Sequence, residues 1–290
     1  MTDSSLLISA PQAVEQLVDA DVLVFDVRFK LEDPGYGAQA YTESHVPGAI
    51  YLDLDRDLSS PVIPGVTGRH PLPDPDVFEA RLREMGLRHS DRVMIYDDGP
   101  GFYAARLWWL LTWLGHGNVS VIDGGLKAWR EAGLPLTTER TVRAWPGDFT
   151  ARPDDTLLVS ADDVLSQITE QREKPGYVLL DARAQERFRG EQEPIDPVAG
   201  HIPGAACLPC SGNLDAEGRY LPPQELRARF PDVDAGQSLV CYCGSGVTAC
   251  HNILAALIAG LPMPRLYAGS WSEWITVPER PVAVTAPEAG

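Results

Sequence analysis

Residues 22–28 read VLVFDVR, and about 150 residues later residues 177–183 read YVLLDAR. Both are unbroken apolar runs of strand length that end in Asp-x-Arg. An uninterrupted run, rather than an alternating one, is the pattern of a strand buried on both faces, as in a parallel sheet covered by helices. Outward from this pair the two copies keep the same order. Upstream, ISAPQAVEQL from Ile8 matches VSADDVLSQI from Val159, each with a serine at a helix N-cap position. Downstream, SHVPGA around His45 matches GHIPGA around His201, a His-x-Pro-Gly turn leading into IYLDL or ACLP. RVMIYD, ending at Asp97, then matches SLVCYC, ending at Cys243, and a glycine-containing loop and a helical stretch follow each. Finally VSVIDGGLKAW, to Trp129, matches PRLYAGSWSEW, to Trp274. Strand and helix alternate through both copies, so the chain is expected to be α/β: two similar domains, each a mainly parallel sheet with helices on both faces.

The length of 290 residues agrees with two domains. They are expected at 1–145 and 155–290, joined by the aperiodic stretch TTERTVRAWPGDFTARPDD with the boundary at 140–155. His45 and Asp97 are 52 residues apart and His201 and Cys243 are 42, so the first copy carries about ten extra residues. They fall in SSPVIPGVTGRHPLP, a Pro/Gly-rich excursion expected to be a loop reaching toward the other domain.

A net charge of -17 repels polyanions, which argues against nucleic acid or an anionic membrane surface as a partner. An anionic substrate would then need its own cluster of arginines or backbone N–H groups. The opening MTDSSLLISAPQ has neither a basic region nor an apolar stretch of signal length, and no run reaches the ~18 apolar residues of a membrane span. The expectation is a cytoplasmic protein. The five cysteines, at 207, 210, 241, 243 and 250, are an odd, sparse set, which points to a reactive thiol rather than a disulfide framework.

Cys243 has the setting for that thiol. It ends an apolar strand, Gly244-Ser245-Gly246-Val247-Thr248 follows, and ACHNILAALIAG then reads as a helix. Loop amides and the positive end of a helix would converge on the sulfur and stabilise it as an anion, which makes a nucleophile. The alternative is a small buried apolar residue at a strand end. Cys241 and Cys250 read as core residues.

CGSGVTAC at 243–250 resembles the active-site loop of the 3-mercaptopyruvate branch of the rhodanese superfamily of sulfurtransferases. The resemblance extends over nearly the whole chain through the Asp-x-Arg strands, both His-x-Pro-Gly-Ala turns, DGGLKAW and GSWSEW. It implies two rhodanese-like domains, the first lacking the catalytic cysteine and carrying Asp97 in its place. It further implies that Cys243 takes sulfur as a persulfide from a small-molecule donor and yields it to cyanide, a thiol or reduced thioredoxin, without metal or organic cofactor. The loop residues Gly244, Gly246, Val247 and Thr248 would hold the sulfur, at a site between the domains. Ser245 and Asp55 match a Cys-Ser-Asp proton relay, with loop stabilisation and turn capping as their other readings. His70 matches a histidine of the excursion, and Arg187 the principal donor-binding arginine, whose planar guanidinium suits a carboxylate or thiosulfate. A second arginine is expected about nine residues after Arg187, where this chain has Ile195 and Asp196. Arg189 or Arg106 could replace it. Thiosulfate is therefore the alternative donor, although the thiosulfate branch has Arg and Lys where Gly244 and Ser245 stand.

Three rival readings differ in chemistry. A cysteine phosphatase needs an arginine closing the loop, and Ala249, Cys250 and His251 stand there instead. A zinc site from Cys207, Cys210, Cys241 and Cys243 would have an unusual one-residue gap in its second pair. A non-catalytic rhodanese module used for binding would not need the intact Cys243 loop.

Overall fold

The computed structural model describes residues 5–170, 176–234 and 236–285. The two ends of the expected domains, 1–4 and 286–290, lie outside them. The chain forms two compact units. Unit 1 comprises Met1–Pro61, Leu72–Asp155 and Asp215–Tyr220, and unit 2 comprises Val62–Pro71, Thr156–Leu214 and Leu221–Gly290. The tip of the Pro/Gly-rich excursion thus belongs to unit 2.

Unit 1 runs β1 (Leu7–Ile8), α1 (Ala10–Gln16), β2 (Val22–Asp26), α2 (Tyr36–Glu43), β3 (Ala49–Tyr51), α3 (Pro75–Glu84), β4 (Arg92–Tyr96), α4 (Phe102–Trp113), β5 (Val119–Ile122) and α5 (Gly125–Glu131). Its sheet has the order β1-β5-β4-β2-β3, with every pairing parallel. All five residues of β2 are buried, as its unbroken apolar run requires. Val22 and Val24 pack with Ala10, Ala13 and Trp129 in one core cluster.

Unit 2 repeats the plan with α6 (Ala161–Thr169), β6 (Tyr177–Asp181), α7 (Gln185–Arg189), β7 (Ala206–Cys207), α8 (Pro223–Arg229), β8 (Ser238–Tyr242), α9 (Thr248–Ile258), β9 (Arg265–Leu266) and α10 (Ser270–Trp274). Its parallel sheet has the order β7-β6-β8-β9. The equivalent of β1 is reduced to a single parallel bridge, Leu158 to Leu266.

The repeat extends to individual hydrogen bonds. Ser9 and Ser160 both close capping boxes, on α1 and α6. The Asp-x-Arg pairs are internal: Arg28 Nη2 meets Asp26 Oδ2 at 2.7 Å and Arg183 Nη2 meets Asp181 Oδ2 at 2.7 Å, with all four side chains buried. Each arginine also donates to a carbonyl just before its His-x-Pro-Gly turn, Ser44 O at 2.8 Å or Gly200 O at 2.7 Å. Each turn in turn donates an N–H to a buried tyrosine hydroxyl, Val46 to Tyr96 at 3.1 Å and Ile202 to Tyr242 at 3.2 Å. Buried charges persist only when paired and hydrogen-bonded, so these groups bind strand to turn and are not available to a ligand. The turn histidines are also internal. His45 stacks on Tyr41 and His201 on Phe188, at ring distances of 3.8 and 3.7 Å.

Candidate active site

The two strand-loop-helix cradles have loops of the same length, since Phe102 and Thr248, which open α4 and α9, each lie five residues after Asp97 and Cys243. In unit 1 the occupant is a carboxylate. Asp97 Oδ1 accepts the N–H groups of Gly99 and Gly101 at 3.0 Å each, and Oδ2 those of Tyr103 at 3.0 Å and Ala104 at 3.4 Å. Burial pushes the Asp97 carboxyl above its ordinary range, and these amides pull it back only in part.

In unit 2 the occupant is the sulfur of Cys243, which is 2% exposed. Gly246 donates its N–H to Sγ at 3.2 Å. Gly246 has φ +76, and a Cβ on it would lie 2.2 Å from the carbonyl oxygen of Ala268, so only glycine brings that amide to the sulfur without moving backbone. The chain after β9 fixes the other side. Ser270 Oγ accepts the Cys243 N–H at 3.1 Å and donates to Tyr267 O at 2.9 Å. Trp271 and Ser272 donate their N–H groups to Cys243 O and Gly244 O at 3.0 and 2.9 Å. Ser270 is fully buried at φ 56, the one non-glycine with positive φ among the described residues. That conformation costs an L-residue about 1–2 kcal/mol, offset here by the two hydrogen bonds of its hydroxyl. Val247 is buried and precedes α9 directly. Thr248 begins that helix, and its side chain works against the burial that raises the Cys210 thiol.

Within unit 2 the structure gathers Cys243, the whole of 244–248, His70 and Arg187. Ser245 Oγ and His70 Nδ1 share a buried hydrogen bond of 2.7 Å. Arg187, on α7, donates from Nε to both Glu193 oxygens at 3.0 and 3.1 Å, and from Nη2 to Glu193 Oε1 at 2.7 Å and Asp196 Oδ2 at 3.0 Å. Burial pushes the Glu193 carboxyl up, but the Arg187 hydrogen bond and the Asp196 and Ile195 amides outweigh it and hold the group below its usual range. Arg187 Nη1 faces the loop, 3.7 Å from where a Cβ on Gly244 would lie.

Two other candidates belong to unit 1. Asp55 is exposed and donates its N–H to Asp53 Oδ1 at 2.9 Å. Arg106 is fully buried in α4, and its Nη2 donates to Leu58 O at 3.3 Å. Arg189, considered as a substitute clamp, instead pairs with Glu191 at 3.8 Å in a half-exposed contact. Sequence reasoning missed Ser270 and Arg69. The repeat carried a signal for the first, because Ser270 falls where the first copy has Gly125, whose φ is +53. Arg69 adjoins the predicted His70, and nothing but its position marks it.

Three of the other thiols are raised by their surroundings. Burial, followed by the nearby Asp181 charge, pushes Cys207 up to about 11, and burial pushes Cys210 up to about 12 and Cys241 well above the ordinary range. All five cysteines are free. Among the described residues no three His, Cys, Asp or Glu side chains gather as metal ligands, so the four cysteines weighed as a zinc site are not brought together as one. No described helix is long and apolar enough to cross a membrane.

A duplicated parallel α/β unit, with a cysteine cradled after β8 in one copy and a carboxylate after β4 in the other, defines a tandem rhodanese-like protein. The rhodanese-like domain model matches residues 9–132 and 164–276, and the chain belongs to that family. Among its relatives, the "Probable 3-mercaptopyruvate sulfurtransferase" of Pseudomonas aeruginosa is 57% identical, over 97% of this chain and 98% of that one. The thiosulfate sulfurtransferase of Cricetulus griseus is 40% identical, over 81% of this chain and 78% of that one. The solved structure of the 3-mercaptopyruvate sulfotransferase SseA from Escherichia coli superposes with a TM-score of 0.79 at 33% identity, covering 93% of this chain and all of that one.

Proposed function

We propose that this protein is a sulfurtransferase that moves sulfur from 3-mercaptopyruvate to a thiol or cyanide through a persulfide on Cys243. The observation that carries the reading is the Cys243 cradle, in which a buried sulfur accepts the Gly246 amide while Arg187 faces the adjoining Gly244. In the first half-reaction the Cys243 thiolate attacks the donor's sulfur. The new S–S bond forms as the C–S bond breaks, and the electron pair leaves on pyruvate as its enolate, which takes up a proton. Ser245, hydrogen-bonded to His70, is the group that relays this proton. Loop amides stabilise charge on the bound sulfur, and Arg187 holds the donor's carboxylate. Cyanide then attacks the outer sulfur, leaving as thiocyanate and returning the thiolate.

Thiosulfate is the second reading, favoured by one observation: Asp196 stands where the mercaptopyruvate branch has a second arginine, and it pairs with Arg187. The test is kcat/KM for each donor with cyanide as common acceptor, on the wild type and on Cys243→Ser. The expected result is a clear preference for mercaptopyruvate and no turnover in the serine variant. Near-normal turnover in Cys243→Ser would refute the persulfide.

A further inference from the structure

Resting on the sulfurtransferase reading, we propose that Arg69 supplies the second cation of the donor-binding clamp, with Asp196 as the counter-ion that an anionic donor displaces. The residue comes from the excursion that is longer in the first copy than in the second, and that segment packs into unit 2. Gly68 lies so close that a Cβ on it would be 2.5 Å from Gly269 O, and Arg69 donates its N–H to Ser272 Oγ at 3.0 Å. Two consecutive residues then address two consecutive loop positions. His70 reaches Ser245, and the Arg69 guanidinium reaches Gly244, where a Cβ would lie 2.8 Å from its Nη2. The same point is 3.7 and 3.8 Å from the two terminal nitrogens of Arg187. Two guanidinium groups therefore converge beside the residue that follows the reactive cysteine.

Like charges do not converge without compensation, and here Asp196 provides it. One of its oxygens meets Arg69 Nη1 and the other meets Arg187 Nη2. Glu193 adds a second negative charge behind Arg187. Glu193 is in turn shared with Arg183, whose Nη1 meets its Oε2 at 3.3 Å, while the Nη2 of Arg69 and the Nη1 of Arg187 are turned to the loop. Arg69 Nε is buried with no acceptor among the described residues. A carboxylate or sulfonate arriving at Gly244 would find charged donors on two sides. In a chain of net charge -17, such a local pair is what lets an anion approach at all. The chain has thus exchanged an arginine after α7 for one delivered by the excursion.

The test reads the local field at Cys243 independently of turnover. Arg69→Gln, Arg69→Lys, Arg187→Gln and Asp196→Asn are compared with the wild type for two alkylation rates, with anionic iodoacetate and neutral iodoacetamide, followed on the Cys243 peptide by mass spectrometry. Arg69→Gln should lower the iodoacetate-to-iodoacetamide ratio several-fold, Arg69→Lys should restore part of it, and Asp196→Asn should raise it. In steady state Arg69→Gln should raise the mercaptopyruvate KM roughly ten- to a hundredfold, the size of one lost charge-assisted hydrogen bond, and change kcat far less. An unchanged ratio in Arg69→Gln alongside a lowered one in Arg187→Gln would overturn the proposal. So would an equal slowing by both reagents, which is the mark of a merely structural arginine. If no variant or wild type turned over any donor, the function would fall while the alkylation ratios still decided the role of Arg69.

Discussion

Replacing Gly246 by alanine tests the cradle most directly, because the cost can be built up from its surroundings. The left-handed backbone, φ +76, costs an L-residue about 1–2 kcal/mol. The new Cβ would also stand 2.2 Å from the carbonyl oxygen of Ala268, far inside the ~3.5 Å of ordinary contact. That neighbour is backbone, not the free end of a side chain, so the loop must shift by about 1 Å or more to reach ordinary contact. The N–H···Sγ bond of 3.2 Å does not survive such a shift. Removal of one preorganised donor to a developing anion costs about 10²–10³ in kcat, or ~2.7–4 kcal/mol. Gly204→Ala is the matched control in the same unit: its φ is +80, but nothing lies within 4 Å of the added Cβ. Both variants should lose ~1–2 kcal/mol in urea unfolding, plus the contact term for Gly246→Ala alone. With mercaptopyruvate and cyanide, kcat should fall at least a hundredfold in Gly246→Ala and stay within twofold in Gly204→Ala, estimates that follow from the lost donor. A folded Gly246→Ala protein with wild-type kcat would refute the argument that this amide stabilises charge on sulfur.

Three more outcomes follow from groups already described. Asp97→Ala leaves the amides of Gly99, Gly101, Tyr103 and Ala104 without their acceptor, and unit 1 should lose about 2–5 kcal/mol in urea denaturation; an unchanged midpoint would show that water replaces the carboxylate. Burial lowers the folded pKa of His116, in unit 1, and of His201, in unit 2, so below about pH 6.5 the unfolded chain binds protons that the folded chain resists. Stability is therefore full above that pH and declines as pH falls through it, and His201→Asn should flatten the Tm profile between about pH 7.5 and 5.5; a profile as steep as wild type would contradict the assignment. With thiols raised to about 11 and 12, Cys207 and Cys210 are almost wholly protonated near neutral pH, so one equivalent of mercaptopyruvate should leave its sulfur on Cys243 and neither of them. Persulfide mapped to Cys207 or Cys210 would count against that.

Duplication made the fold legible. An apolar run such as VLVFD is ambiguous alone, but its recurrence as YVLLD in the same context separated strand from helix, and both are interior strands of parallel sheets, paired on each side. The Asp-x-Arg ends were visible as chemistry-bearing residues, yet their use was not. Whether Asp181 and Arg183 face a ligand or each other depends on Tyr242 and Gly200, which are remote in sequence. Cys243, Ser245, His70 and Arg187 could be named because they sit in motifs. Arg69 could not, because its partner Asp196 is 127 positions away and no periodicity links them. An acid at position 196 looked like the loss of a clamp residue, and only geometry reveals that it bridges two cations. Ser270 was hidden for a different reason: an L-residue at positive φ leaves no compositional trace, and only the glycine at the matching place in the first copy betrays it.

The carboxylate of Asp97 has a consequence for how the two copies have diverged. Two acceptor atoms there, both oxygens, collect four amides, so that cradle is filled by the chain's own side chain. A cysteine offers one such atom, and its persulfide offers two. In unit 1 a covalent side chain thus keeps permanently the place that, on the proposed chemistry, a passing sulfur fills in unit 2 for the length of one turnover. Anyone seeking to install catalysis in that copy would have to replace the plug as well as add a nucleophile, since its four amides are already taken by a guest that never departs.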